Sequence, residues 1–206
     1  MVNISKKTNI IVKAALLLTL GFILTYFEFP VLPAFPWLKV DLSAVPVLLS
    51  GFAFGPLVGV GVEVLKNLLV FTLKGSSSGG VGEIANIIVV GSYVFTASMI
   101  FKKLKTRKGA LIGAFAGSLV MIPLAMLANH FILIPLYFPG GMEGAMYRSY
   151  MFYGIPAFNF IKGAMISVVG IFFYDKVAFL INKEAGFQRS YSQLHKTQVA
   201  KSSAKQ

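Results

Sequence analysis

Two pairs of polar residues stand three apart inside long apolar runs, and neither belongs in hydrocarbon without a partner. In "GVEVLKNLL", Glu63 and Lys66 share one face of a helix within pairing reach. They read either as an internal ion pair holding their helix against a neighbour, or, with Asn67, as groups that touch a ligand or transmit its arrival. In "PAFNFIKGAM", Asn159 and Lys162 have the same spacing, and no acid lies within one helical turn of Lys162. Along that segment the nearest acid is Asp175, at the other end. Such a lysine must find an acceptor elsewhere, shift its pKa or snorkel to the interface. A ligand with carbonyl or imide oxygens would satisfy it, and Asn159 on the same face favours that reading. Asn129 in "LAMLANHFILIP" also needs partners, either on another helix or on a ligand. His130 beside it points about 100° away around a helix and takes no assigned role.

The stretch "KGSSSGGVGEIAN" gathers serines, glycines, a carboxylate and an amide between two apolar segments. Gly80, Gly82 and Ala85 match the spacing of a dinucleotide-binding turn. That turn needs a preceding strand in a βαβ unit, and here a membrane-length apolar run precedes it. No Gly-Lys-Ser/Thr follows, so it is not an ATP-binding loop either. The stretch reads as an outer loop opening a helix, whose first backbone amides can hold polar ligand atoms. Glu83 in the first turn suits the helix dipole, and Asn86 follows on the same side. The alternative is a flexible turn with an N-terminal acid. A second loop carries Phe35, Trp37, Leu38, Lys39 and Asp41. Flat aromatic surfaces beside a polar rim suit a planar ring, and equally suit an aromatic interface belt.

The elements that must position these groups follow from composition. Of the 206 residues, 56% are hydrophobic and 13% charged, against roughly 45–50% and about 25% in soluble domains. Lipid is the expected solvent. Six apolar segments are expected: Ile10–Phe29, Leu42–Phe54, Pro56–Leu73, Val81–Phe101, Gly109–Pro135 and Tyr153–Ile181. The first is expected to be a retained helix rather than a signal peptide. The second is short, with Pro46 expected to distort it. If both termini share a side, that side collects fourteen of the nineteen lysines and arginines, and the opposite loops hold Lys39, Lys74 and Arg148. The positive-inside rule then places the termini in the cytoplasm and the loops after the first, third and fifth segments outside. The fold class is therefore an all-α membrane protein of six transmembrane helices, both termini cytoplasmic. Residues 1–185 form one membrane domain, and 186–206 a polar basic tail expected to be disordered.

The formal charge of +12 is accounted for by loop and tail anchors, not by nucleic acid, because no alternation of basic and aromatic residues marks a strand-binding groove. Without cysteine there is no disulfide and no thiolate chemistry, and two distant histidines argue against a metal site. No paired carboxylates or serine–histidine pair suggest an enzyme. In "GALIGAFAG", Gly109, Gly113 and Gly117 recur at intervals of four, the spacing of closely packed membrane helices.

With "WLKVDLSAVPVLLSGFAFGPLVG", "VEVLKNLL", "GSSSGGVGEIAN" and "FNFIKG" together, the chain resembles the substrate-binding S-components of energy-coupling factor (ECF) vitamin transporters, in particular the riboflavin-binding members. The likeness covers Ile10–Ile181. It implies a multi-pass protein of the bacterial plasma membrane that binds riboflavin near its outer face as transported ligand, with no cofactor and no catalysis. It implies as partners the lipid bilayer, a transmembrane coupling protein and two ATPase subunits. The absence of a nucleotide-binding loop agrees, since the chain cannot power transport alone. Asn159, Lys162 and Asn129 resemble the family's contacts to the ring, with Glu83, Asn86, Trp37, Leu38 and Lys39 completing the expected site. The family's alanine-x-x-x-alanine docking face on the first helix is not reproduced after Ala14, where Leu18 stands four residues on. The rival readings are an S-component for another vitamin, a membrane-embedded enzyme, and an assembly protein without a ligand.

Overall fold

Every backbone N–H and C=O in hydrocarbon must be satisfied within its own segment, so apolar runs of this length become helices. The computed structural model describes residues 6–76 and 78–174. It shows α1 (Lys6–Leu24), a two-residue hairpin of β1 (Phe29–Pro30) and β2 (Lys39–Val40), α2 (Ala44–Phe54), α3 (Pro56–Lys74), α4 (Val81–Leu104), α5 (Arg107–Tyr137) and α6 (Gly144–Tyr174). The hairpin is antiparallel, with Phe29 opposite Val40. The chain is all-α, as expected. Among the described residues, five helices are long and apolar enough to cross a membrane. The 11-residue α2 rises only about 16 Å, short of a ~30 Å core.

The α2–α3 break is written in two residues. Gly55 has φ 104°, which a side chain would resist, and Pro56 begins α3, where its missing N–H costs nothing. Pro46 falls within the first turn of α2 and leaves it helical, contrary to the expected distortion. The reason is the same: first-turn amides need no helical partner.

Away from the loops the helices meet backbone to backbone. A Cβ at Gly113 would lie 2.5 Å from the Ala97 carbonyl oxygen, and one at Gly117 2.8 Å from that of Tyr93. The glycine repeat thus fixes the α4–α5 contact. At Gly59 a Cβ would sit 2.8 Å from the Gly51 Cα, so α2 and α3 touch in the same way. The α4–α5 turn is tight: Lys105 is left-handed (φ 49°), and Thr106 Oγ1 caps α5 by accepting from the Gly109 amide at 3.0 Å.

Three helices depart from α geometry near the opposite end. Val70–Lys74 closing α3, Asn129–Leu133 within α5 and Tyr150–Gly154 within α6 are π turns. Their carbonyls accept from five residues on, Val70 from Gly75, Asn129 from Ile134 and Tyr150 from Ile155. Several helix ends also differ from expectation, two of them by five residues or more. The helical part of the first apolar run stops at Leu24, and Phe29 is in β1. The last helix begins at Gly144, nine residues before Tyr153, because the "GAMYRS" turn is helical although none of its residues is buried. The expected end of the sixth segment at Ile181, the domain end at 185 and the expected tail, 186–206, lie outside the described residues.

Candidate functional site

The loops after α1, α3 and α5, with the helix ends they join, enclose a cavity of about 720 Å³. That volume lies within the roughly 300–1,000 Å³ of small-molecule sites. All eight expected site residues line it: Trp37, Leu38 and Lys39 from the first loop, Glu83 and Asn86 from α4, Asn129 from α5, and Asn159 and Lys162 from α6. The three π turns line it too, through Val70 and Lys74, Asn129 and Leu133, and Tyr150.

Lys162 and Asn159 are almost wholly buried. The Lys162 ammonium donates to Asn86 Oδ1 at 2.8 Å and lies 5.8 Å from the Phe158 ring centre. Among the described residues no carboxylate pairs with it, so two of its N–H donors remain. The bond turns the Asn86 amide so that its NH2 carries no protein acceptor among the described residues. Asn159 Nδ2 donates to the Ile155 carbonyl at 2.9 Å, one turn back on its own helix. Its Oδ1 accepts nothing from the described residues. Buried polar atoms are normally paired; these open onto the cavity, and the enclosed side-chain atom left without a partner among the described residues is Ser98 Oγ.

Glu63 and Lys66 are the internal ion pair that the spacing allows, at 2.8 Å and effectively without solvent. Lys66 Nζ also donates to the other Glu63 oxygen at 3.0 Å and to Ser43 Oγ at 3.1 Å. Its three donors are therefore all taken up within the protein. Asn67 Nδ2 donates to the Glu63 carbonyl at 2.9 Å and to Glu63 Oε1 at 2.7 Å. This fixes its amide and leaves Oδ1 as an acceptor on a residue that lines the cavity. The pair contributes no net charge, so among the described residues Lys162 is a buried cation of this wall without a direct ion pair, and the Asp41 carboxylate lines the same cavity.

The Gly/Ser stretch behaves otherwise than expected. Two of the amides expected to face a ligand are taken up inside the loop. Ser76 Oγ accepts from Gly80 N at 2.9 Å and Ser78 Oγ from Gly82 N at 2.9 Å. Both hydroxyls then donate to Glu83 Oε2, at 2.8 and 3.1 Å. Serines a few residues upstream reach the first N–H groups before any ligand can. Glu83 thus locks the loop onto the start of α4 while still lining the cavity.

The rim carries Glu28 between two lysines, Lys39 at 3.2 Å and Lys74 at 3.4 Å. These groups are partly exposed, and such pairs stabilise little. Lys74 also donates to the Thr25 carbonyl, joining the end of α3 to the end of α1.

Tyr150 was not singled out by sequence, because a tyrosine near a helix end reads as interface belt. It is buried and lines the cavity. Its ring meets Phe35 edge-on at 5.3 Å and Trp37 at 6.1 Å, so the aromatic loop docks on α6. A Cβ at Gly154 would lie 2.7 Å from the Phe35 ring, so this glycine gives the ring its seat. His130 is exposed and bonds Tyr147 at 2.8 Å, apart from Asn129, as its helical angle predicts.

The family model for "ECF transporter, substrate-specific component" matches residues 9–174. The riboflavin transporter FmnP of Bacillus subtilis is 33% identical, the match covering 79% of this chain and 88% of that one. The riboflavin transporter RibU of Staphylococcus aureus is also 33% identical, over 82% and 89%. A solved structure of the S component of a bacterial ECF transporter superposes with a TM-score of 0.74 at 32% identity, covering 85% of this chain and 99% of that one.

Proposed function

The chain belongs to the substrate-specific components of ECF transporters, and from that premise we propose that its cavity binds riboflavin for uptake. One observation carries the reading: seven polar or aromatic residues and Leu38, separated along the chain, line one cavity, with hydrogen-bonding atoms still open on Lys162, Asn86 and Asn159. The flavin ring is flat, apolar on its faces and edged with carbonyl oxygens and an imide N–H. Lys162 and Asn86 offer donors to ring oxygens, and Asn159 Oδ1 offers an acceptor to the imide. Trp37 and Leu38 offer apolar surface to the ring face. The homologues named riboflavin transporters support the same ligand.

The cavity opens outward and the basic α4–α5 turn, from Lys102 to Lys108, faces the cytoplasm, as the lysine and arginine distribution favours. On that side the protein meets a transmembrane coupling protein and two ATPase subunits, which supply the energy this chain cannot. Its part is capture: it lowers the free energy of the ligand outside and hands it on, with no bond made or broken.

The test is the visible spectrum of the protein purified in detergent from cells grown on rich medium. A co-purifying flavin band is the expected result. A colourless protein that also fails to bind added riboflavin overturns the vitamin assignment.

A further inference from the structure

We propose that Tyr150 is a positioning residue that fixes the Asn129 amide, so that Asn129 presents an N–H donor to the ligand. This rests on the riboflavin reading and adds to it a residue that touches the site through another. The Tyr150 hydroxyl donates to Asn129 Oδ1 at 2.8 Å, and Asn129 Nδ2 donates to the Ala125 carbonyl at 2.8 Å. An amide held at both ends by groups of opposite kind has one orientation. Flipping it would point its oxygen at the Ala125 carbonyl, acceptor against acceptor, and lose that bond. The remaining polar capacity of Nδ2 is one N–H, on a buried residue that lines the cavity.

The backbone independently marks this pair. Asn129 is the first residue of the π turn in α5, and Tyr150 is the first residue of the π turn in α6. A π turn holds one more residue than an α turn and rotates the rest of its helix, and such turns concentrate at functional sites. Here two of them start at the two residues that bond to each other across neighbouring helices. Tyr150 also carries the ring contact to Phe35, so the first loop closes over the residue that sets the amide.

The experiment is a double-mutant cycle on riboflavin affinity, read by flavin fluorescence in detergent, with Tyr150→Phe, Asn129→Ala and the pair together. Tyr150→Phe keeps the ring against Phe35 and removes only the hydroxyl. It is expected to weaken binding about tenfold, and to add no further loss in the Asn129→Ala background. A tyrosine that merely packs predicts no change in Tyr150→Phe, and that result overturns the proposal. Losses that multiply in the double variant overturn it too, because they show that the hydroxyl acts elsewhere. A wild-type protein that binds no riboflavin overturns the underlying reading, and this inference with it. Thermal unfolding of each variant reports folding, and Tyr150→Trp serves as a second hydroxyl-free aromatic variant.

Discussion

The two ends of the helices solve opposite problems. At the α4–α5 turn end, glycines bring backbones into contact, and a Cβ at Gly113 has no room. At the loop end, π turns, a Gly/Ser cap and an aromatic loop hold the helices around a cavity of about 720 Å³. Small side chains maximise packing where only stability is at stake. Amides and an ammonium stand exposed to a cavity where packing alone would favour leucine. The second arrangement costs free energy unless something occupies it, and that cost is the physical reason to expect a ligand. The Glu63–Lys66–Asn67 group joins the two regions, since its charges are matched internally while Asn67 borders the cavity.

The comparison can be broken most severely at that join. Glu63→Ala strands the Lys66 ammonium without its counter-ion and is expected to cost about 3–5 kcal/mol of stability, seen as a large fall in thermal unfolding temperature in detergent. The paired change Glu63→Leu with Lys66→Met should recover most of it, because it removes both charges together. Gly113→Val forces a side chain against the Ala97 carbonyl and should cost about 1–3 kcal/mol. The protein that still folds should bind riboflavin within about twofold of wild type. Asn159→Ala should do the reverse, leaving the unfolding temperature nearly unchanged and weakening binding by about 1 kcal/mol or more. If Gly113→Val harmed affinity as much as stability, the two ends would not be separable. Smallest of all, Glu28→Gln at the rim should change either quantity by less than about 1 kcal/mol, with the difference shrinking as salt is raised.

The apolar segments, the glycine contact and the Glu63–Lys66 pair were legible because lipid makes their alternatives costly. That Asn129, Asn159 and Lys162 each need a partner was legible for the same reason, since a polar group in an apolar run must be answered in space; that they share one site was implied only by the family resemblance. Other features leave no such mark. A π turn such as Val70–Lys74 is one added residue in a continuous apolar helix, with no glycine or proline to announce it. Phe29–Pro30 and Lys39–Val40 pair over only two residues, too short for alternation to show. The serines at 76 and 78 could face a ligand or the backbone, and only the fold places them at the amides of Gly80 and Gly82. Tyr150 acts through a hydroxyl whose partner, Asn129, is 21 residues away.

The central claim is that the polar atoms of this cavity are held open for a flavin. The most direct measurement is riboflavin titration of purified wild-type protein beside Lys162→Met, which keeps the length and apolar stem of the lysine and removes its ammonium. Saturable binding by wild type is predicted, with an affinity at least about tenfold weaker in Lys162→Met and an unfolding temperature little changed. Equal affinity in the two proteins, or no binding in either, would contradict it.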